Sequence, residues 1–185
     1  MIMIDESSSD KQLVQQIQQG SGEAMSILYR RHQPAVLRYV QVRIYNWQQA
    51  QDLTGEIFLS VVSHLPQYQI TGAPFTAWLF RIAHNTVISH RQKESRAPLD
   101  SISYADNHSR PEDNPAYLVE NKLEMDWVRQ GLQQLDETQR DVIILRFLIG
   151  LSLQETADAL EKSVGAIKTL QHRGILALRV ALQTA

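Results

Sequence analysis

Apolar residues in this chain recur at spacings of three and four, and no segment alternates them with the period of two that a half-buried strand requires. Leu13 and Ile17 are followed by Met25, Leu28 and Tyr29, then by Val36, Tyr39, Val40 and Ile44. Leu53, Ile57, Val61 and Leu65 form one stripe, and Leu79, Ile82, Ala83 and Val87 another. Past residue 116, Met125, Val128, Leu132 and Leu135 suit one buried face, and Val142, Leu145, Arg146 and Phe147 continue the pattern. The periodicity predicts an all-α chain. Only residues 97–116, APLDSISYADNHSRPEDNPA, break it: three prolines among Ser, Asp and Asn read as a flexible linker. The expected organisation is therefore two small helical domains, 10–96 and 117–185, with a tail over 1–9 and the linker over 97–116.

Local signals divide each domain further. Asp10 is a candidate cap for the first helix and Gly20-Ser21-Gly22 a candidate stop. A helix from about Gln48 to Leu65 ends before Pro66, and the loop QYQITGAP leads into FTAWLFRIAHNTVISHRQK. Gly55 interrupts the first of these at a cost of ~1 kcal/mol relative to Ala. After a break at Leu135-Asp136 come two final helices, Ser152 to Leu160 and Val164 to Leu182, joined by Glu161-Lys162-Ser163. Ser152 and Ser163 are suited to capping them, because a hydroxyl accepts from the free N–H groups of a first turn.

Composition excludes more than it selects. With 185 residues, 43% hydrophobic and 21% charged, a packed core is feasible. No cysteine is present, so a disulfide framework, a thiolate zinc site and a cysteine nucleophile are excluded together. Six histidines occur, yet none has the H-E-x-x-H spacing, and no Gly-rich phosphate loop is found, so neither a metal, a cofactor nor an enzymatic activity is expected. His84 and His90 read as helix-surface residues. MIMIDESSSDKQ lacks the basic and apolar regions of a signal peptide, and no run approaches the ~18 apolar residues of a membrane span. A cytoplasmic protein without membrane insertion is the expectation.

The net charge of -2 conceals a pattern. Residues 24–96 hold eight Lys or Arg against three acids, residues 97–127 seven acids against Arg110 and Lys122, and residues 162–185 four cations with no acid. Two basic blocks thus flank an acidic one. The last block coincides with the second of the two final helices, the arrangement of a helix-turn-helix whose second member lies in a DNA major groove. At ~100° per residue, Val164, Ile167, Ile175, Leu178 and Leu182 share one stripe, while Gly165, Thr169, His172, Arg173 and Leu176 lie opposite, with Lys168 and Arg179 at the edge. Such a face suits phosphates and base edges. It also suits a solvated amphipathic helix whose C-terminal cations complement the dipole.

The stretch LDETQRDVIILRFLIGLSLQETADALEKSVGAIKTLQHRGILALR, Leu135 to Arg179, resembles region 4, the promoter-binding C-terminal domain of bacterial sigma factors. It keeps Gln139-Arg140, Leu145-Arg146, Gly150-Leu151-Ser152, Glu155, Ala157, Gly165 and Lys168. LYRRHQPAVLRYV, AQDLTGEIFLSVVSHLPQY and FTAWLFRIAHNTVISHRQ are similar in order and spacing to regions 2.1, 2.2 and 2.3 to 2.4. The pair, with a short linker and no region 3, resembles the extracytoplasmic-function group of the sigma-70 family. The resemblance implies a sigma factor that binds core RNA polymerase and directs promoter-specific initiation, recognising and helping to melt the minus-ten element and reading the minus-thirty-five element, and that is held when free by an anti-sigma antagonist.

Residues follow by position. The resemblance implies a polymerase-binding strip exposing Asp52, Glu56 and Phe58; on the residues alone, two carboxylates at i,i+4 suit a basic partner or simply water. Phe75, Trp78 and Phe80 near Arg81, Arg91, Lys93 and Arg96 combine ring faces with cations, as single-stranded nucleic acid requires. For the minus-ten element the resemblance implies Tyr68, Trp78, Asn85 and Arg91, although Trp78 equally suits a core. For the minus-thirty-five element it implies Lys168, Thr169, His172 and Arg173. Departures from the family's usual pattern are Asp136, Thr156, Ala166, Ser89 and the pair Leu170-Gln171; Gln171 falls on the buried stripe and is expected to bond a neighbouring helix or the linker. Alternatives are a helix-turn-helix repressor of palindromic DNA, which leaves the first block without a role, and a sigma-like protein-interaction adaptor.

Overall fold

The structure is a computed structural model that describes residues 5–70, 72–96 and 127–183; among them all regular structure is helical. The linker, the expected start of the second domain at Tyr117, Met125 and the side chains of Arg96 and Leu182 lie outside the described residues.

The first group holds α1 (Asp10–Gln18), α2 (Gly22–Gln41), α3 (Trp47–His64) and α4 (Phe75–Arg96). Ser9, not Asp10, caps α1: its hydroxyl accepts from the Gln12 N–H at 3.3 Å, and the Gln12 side chain accepts from the Ser9 N–H at 2.8 Å. Asp10 is the first helical residue, and its carboxylate instead meets Arg31 at 2.6 Å and His32 at 2.8 Å. Burial would raise the Asp10 pKa, but the hydrogen bonds from His32 and Arg31 and the charge of Arg31 outweigh it and hold the carboxyl below its ordinary value. The turn at Gly20 takes φ +94°, a left-handed geometry for which glycine has no steric cost. Ser21 then caps α2, which runs through an exposed Pro34. Leu13, Leu28, Tyr39, Ile57, Leu65, Leu79 and Phe80 are fully buried between these helices.

The second group holds a helix over residues 127–133, here α5, then α6 (Glu137–Ile143), α7 (Leu153–Leu160) and α8 (Val164–Gln183). Asp136, where the family usually has proline, caps α6 by accepting from the Gln139 N–H at 2.8 Å. A wider π turn, Ile144–Ile149, continues α6 until Gly150 stops it in a left-handed conformation. Ser152 and Glu155 cap α7 reciprocally, and Ser163 caps α8 by accepting from the Ala166 N–H at 3.2 Å. Thr156 is fully buried and satisfies its hydroxyl on the Ser152 carbonyl at 2.9 Å. The core is Leu132, Leu135, Val142, Ile144, Leu145, Ala157 and Ile167.

Four residues expected inside lie outside, the first of them Tyr29, 42% exposed at the edge of α2 against Phe58 of α3. Phe147 is 58% exposed: it lies in the π turn, whose wider winding carries it off the face that buries Val142 and Leu145. Ile175 is exposed because α6 approaches α8 at Gly174, which leaves Ile175 at the edge of a narrow stripe. Val128 is exposed because α5 meets α8 one turn later, where Leu178 lies beside Gly131.

The two groups pack together, chiefly α4 against α7 and the end of α2 against the π turn. Arg43 and Asp141 form a buried ion pair across this contact, with the Arg43 guanidinium 4.8 Å above the Tyr39 ring. Arg129 donates to the Gln41 carbonyl at 2.7 Å, and Gln133 bonds the Tyr45 hydroxyl.

Candidate functional site

The turn between α7 and α8 is built without glycine. Glu161 takes φ +53°, and the Lys162 N–H reaches back to the Ala157 carbonyl at 2.9 Å, so the chain reverses and launches α8 outward. Lys168, Thr169, His172 and Arg173 are all exposed on α8, together with Gly165. Ile167 and Gly174 face inward, which fixes the rotation of the helix. The exposed face offers two cations, an imidazole and a hydroxyl, and α8 contains no acid. Its seat is set by Arg146. From the π turn that side chain donates to the Gln171 Oε1 at 2.9 Å and to the Leu151 carbonyl, tying α6, the approach to α7 and α8 together. Gln171 is thus half-buried and partnered by a neighbouring helix, and Leu170 packs against the core beside it.

The second cluster surrounds the start of α4. Gln18 donates to the Leu65 and Tyr68 carbonyls at 3.1 and 2.8 Å, which pins the loop before α4 onto α1. The Tyr68 hydroxyl donates to the Ala73 carbonyl at 3.0 Å, closing the loop on itself. Tyr68, Phe75 and Trp78 form one aromatic cluster, with the Tyr68 and Trp78 centroids 4.7 Å apart. Phe75 and Phe80 are buried, contrary to the expectation that their faces are offered to bases: both fall on the core side of α4, Phe80 against Tyr39. Trp78 is half-buried and Asn85 exposed. Arg91 is directed to Glu137 at 3.0 Å. His84, expected at the surface, is instead held between the groups, 3.2 Å from the Tyr39 hydroxyl and 3.6 Å from Asp141. Desolvation lowers its pKa, against the pull of Asp141.

The third cluster lies on α3. Asp52 and Glu56 are exposed, but Phe58 is only 5% exposed and packs edge-on against Tyr29 at 4.7 Å. At ~100° per residue Phe58 falls toward the Thr54 and Val61 side, and Leu59 and Val62 take the outward positions near Asp52. Leu59 is 72% exposed and Val62 50%. They border an apolar groove of about 580 Å³ between α2 and α3, lined also by Met25, Tyr29, Arg30 and Gly55. Large apolar side chains on the polar side of the wheel were the available signal for it. Among the described residues no helix is long and apolar enough to cross a membrane, and no cluster of three or more His, Asp or Glu could hold a metal.

Comparison with known proteins agrees with this architecture. Residues 28–97 match the family "Sigma-70 region 2" and residues 131–180 match "Sigma-70, region 4". The chain is 36% identical over 172 residues to the ECF RNA polymerase sigma factor BldN of Streptomyces coelicolor, covering 90% of this chain but 63% of that longer protein. It is 31% identical over 183 residues to the ECF RNA polymerase sigma factor ShbA of Streptomyces griseus, covering 95% and 96% of the two chains. Among solved structures it resembles CnrH in complex with the cytosolic domain of CnrY, at 25% identity, a TM-score of 0.76 and coverage of 96% and 99%. The fold is shared too with the sigma factor RpoE from Bartonella quintana, at 20% identity, a TM-score of 0.63 and coverage of 84% and 94%. Region 2 helices, a region 4 helix-turn-helix and near full-length likeness to ShbA together establish that the chain belongs to the sigma-70 family, among its extracytoplasmic-function sigma factors.

Proposed function

We propose that this chain is the promoter-recognition subunit of an RNA polymerase, working by contact and without bond chemistry of its own. The observation that carries the reading is the acid-free exposed face of α8, seated on a helix-turn-helix, in the same chain as a region 2 bundle. Lys168, Thr169, His172 and Arg173 read the minus-thirty-five element in the major groove, where a bidentate Lys or Arg contact to guanine contributes ~1–3 kcal/mol of discrimination. Asn85 and Arg91 meet the minus-ten strand as it opens. Tyr68 and Trp78, already packed together, serve as the wall of a pocket for an unstacked base. Asp52 and Glu56, with the Leu59 and Val62 groove in the place expected for Phe58, dock on core polymerase in the cytoplasm. Domain limits of 10–96 and 117–185 remain part of this reading.

A net charge of -2 fits such a division of labour: polymerase supplies most of the affinity, and local cations position and discriminate. An antagonist belongs to the same proposal, supported by the relative CnrH, whose structure holds the cytosolic domain of CnrY. A holoenzyme reconstituted with Lys168→Ala and Arg173→Ala should lose ~10-fold or more in recruitment by the minus-thirty-five element, with strand opening by permanganate footprinting of duplex templates preserved once the holoenzyme is saturating. Asn85→Ala with Arg91→Ala should do the reverse. Equal losses in recruitment and in strand opening from both pairs would refute the assignment.

A further inference from the structure

The apolar groove between α2 and α3 has an acid at its rim that comes from the segment before α1. Leu59, Val62, Met25, Tyr29 and Phe58 line the groove, and Arg30 is the cation among its lining residues. Its volume of about 580 Å³ lies within the ~300–1,000 Å³ of clefts that enclose small apolar groups. Arg30 meets the Glu6 carboxylate at 2.7 Å, and Arg31 beside it donates to the Glu6 carbonyl at 2.8 Å. Asp5 is fixed by a turn of its own: its carboxylate accepts from the Ser7 N–H and hydroxyl at 2.9 and 2.6 Å, and its N–H donates to the Ser8 hydroxyl at 3.2 Å. The described chain therefore begins at the rim of the groove. Residues 1–4, outside the described residues, are Met-Ile-Met-Ile.

We propose that this groove is the docking site for residues 1–4 of the same chain, which cover Leu59 and Val62 while Glu6 on Arg30 sets where the segment enters. The order of residues matches the groove: four apolar side chains precede Asp5 and Glu6, and the groove is apolar with a cation at its rim. The reach matches as well. Four extended residues span ~13–14 Å, and the walls of the groove, Met25 to Arg30 and Gly55 to Val62, run ~8 and ~11 Å at 1.5 Å per residue. Methionine adapts to an irregular apolar surface, which suits an open groove. Four residues bury too little to stay bound from solution, but a segment tethered at Glu6 meets the groove at an effective concentration in the millimolar range. The Glu6–Arg30 pair is exposed, so it guides the segment more than it holds it. The consequence for polymerase rests on the reading that this groove docks core polymerase. Residues 1–4 then compete with polymerase, and they lower its apparent affinity by the fraction of chains in which the groove is free.

The chain has no cysteine, so two introduced thiols are its only ones. In the full chain Met3→Cys is combined in turn with Leu59→Cys and with Val62→Cys, diamide oxidises the two thiols to a disulfide, and non-reducing electrophoresis follows the rate. Met3→Cys with Lys11→Cys is the control, since Lys11 is exposed on α1, close to residue 3 in sequence but outside the groove. At least one groove pair should close within the chain about tenfold faster than the control. Ile2→Ser with Ile4→Ser should bring the groove pairs down to the control rate and leave the control unchanged. The same two serine substitutions, with Met3, Leu59 and Val62 retained, should raise the affinity for purified core polymerase about threefold to tenfold. Equal rates for the groove pairs and the control, a preference that survives Ile2→Ser with Ile4→Ser, or a disulfide formed between two chains would each overturn the docking. An unchanged affinity for polymerase would overturn the competition. Cross-linking needs no polymerase, so it decides the docking even where the unaltered chain fails to bind core polymerase, the result that would instead refute the sigma-factor reading.

Discussion

Two helical glycines should answer the same substitution with opposite sign. Gly55 is exposed in α3, and a Cβ built there meets nothing within 4 Å. Gly55→Ala therefore gains the intrinsic preference of Ala in a helix, ~1 kcal/mol, with no steric term. Gly174 in α8 has the same intrinsic gain available, but its Cβ would lie 2.9 Å from Ile143 Cγ1, 3.2 Å from Ile143 Cδ1 and 3.6 Å from the Gln139 Cβ. Ile143 is buried and β-branched, so its Cγ1 cannot swing aside as a long flexible end would. Overpacking of this kind costs ~1–3 kcal/mol, which leaves Gly174→Ala neutral to about 2 kcal/mol destabilising. The difference between the two variants is ~1–3 kcal/mol. Urea unfolding followed by tryptophan fluorescence reads both, since Trp47 and Trp78 lie in the first group and Trp127 in the second. Gly174→Ala as stabilising as Gly55→Ala would refute the packing argument. Function sharpens the comparison: Gly55 lines the groove proposed for polymerase, so Gly55→Ala should raise stability while weakening the affinity for core polymerase.

Other consequences are independent of that pair. His84 has a pKa below its ordinary value in the closed chain, so the open state binds more protons; closure is fully favoured above about pH 6.5 and weakens as the pH falls below it. The groups facing it are Tyr39 and Arg43, Asp141 and Glu137 on α6, and Lys162. Small-angle X-ray scattering should show the chain expanding on mild acidification and His84→Gln removing the dependence; a pH-independent radius in the unaltered chain would contradict this. Arg146→Leu should cost ~1–3 kcal/mol by stranding the Leu151 carbonyl and the Gln171 amide oxygen, and Gln171→Leu added to it should cost nothing further; additive losses in a double-mutant cycle would show the two act separately. Glu161→Gly should stabilise the second group by up to ~1 kcal/mol by relieving the left-handed backbone, and a loss of stability would mean that its contact with Arg81 outweighs the strain.

Helix periods were legible because each helix buries one continuous stripe, and Leu53, Ile57, Val61 and Leu65 are inside as the spacing requires. Caps were legible to within a residue: Ser152 and Ser163 do the work expected of them, whereas Ser9 displaces Asp10, whose carboxylate is drawn to Arg31 and His32 across the bundle. The exposed α8 face could be read from phase alone, since Lys168, Thr169, His172 and Arg173 share one arc. Phe58 could not be placed by type, because an aromatic suits both a docking strip and a core; its angle relative to Thr54 and Val61 decides the matter. The role of His84 was hidden for a different reason. Its partners Tyr39 and Asp141 lie far apart in the chain, and only the packing of α4 against the second group brings them together. Gln171 was legible as a residue needing a partner, while the identity of that partner, Arg146, depended on the π turn.

Run-off transcription with purified core polymerase on genomic fragments tests the central claim most directly. The chain should confer initiation at discrete start sites that core polymerase alone does not use, preceded by elements near minus ten and minus thirty-five, with initiation falling steeply as salt rises. Absence of specific initiation at every salt concentration, with the chain folded and the polymerase active with another sigma factor, would contradict it.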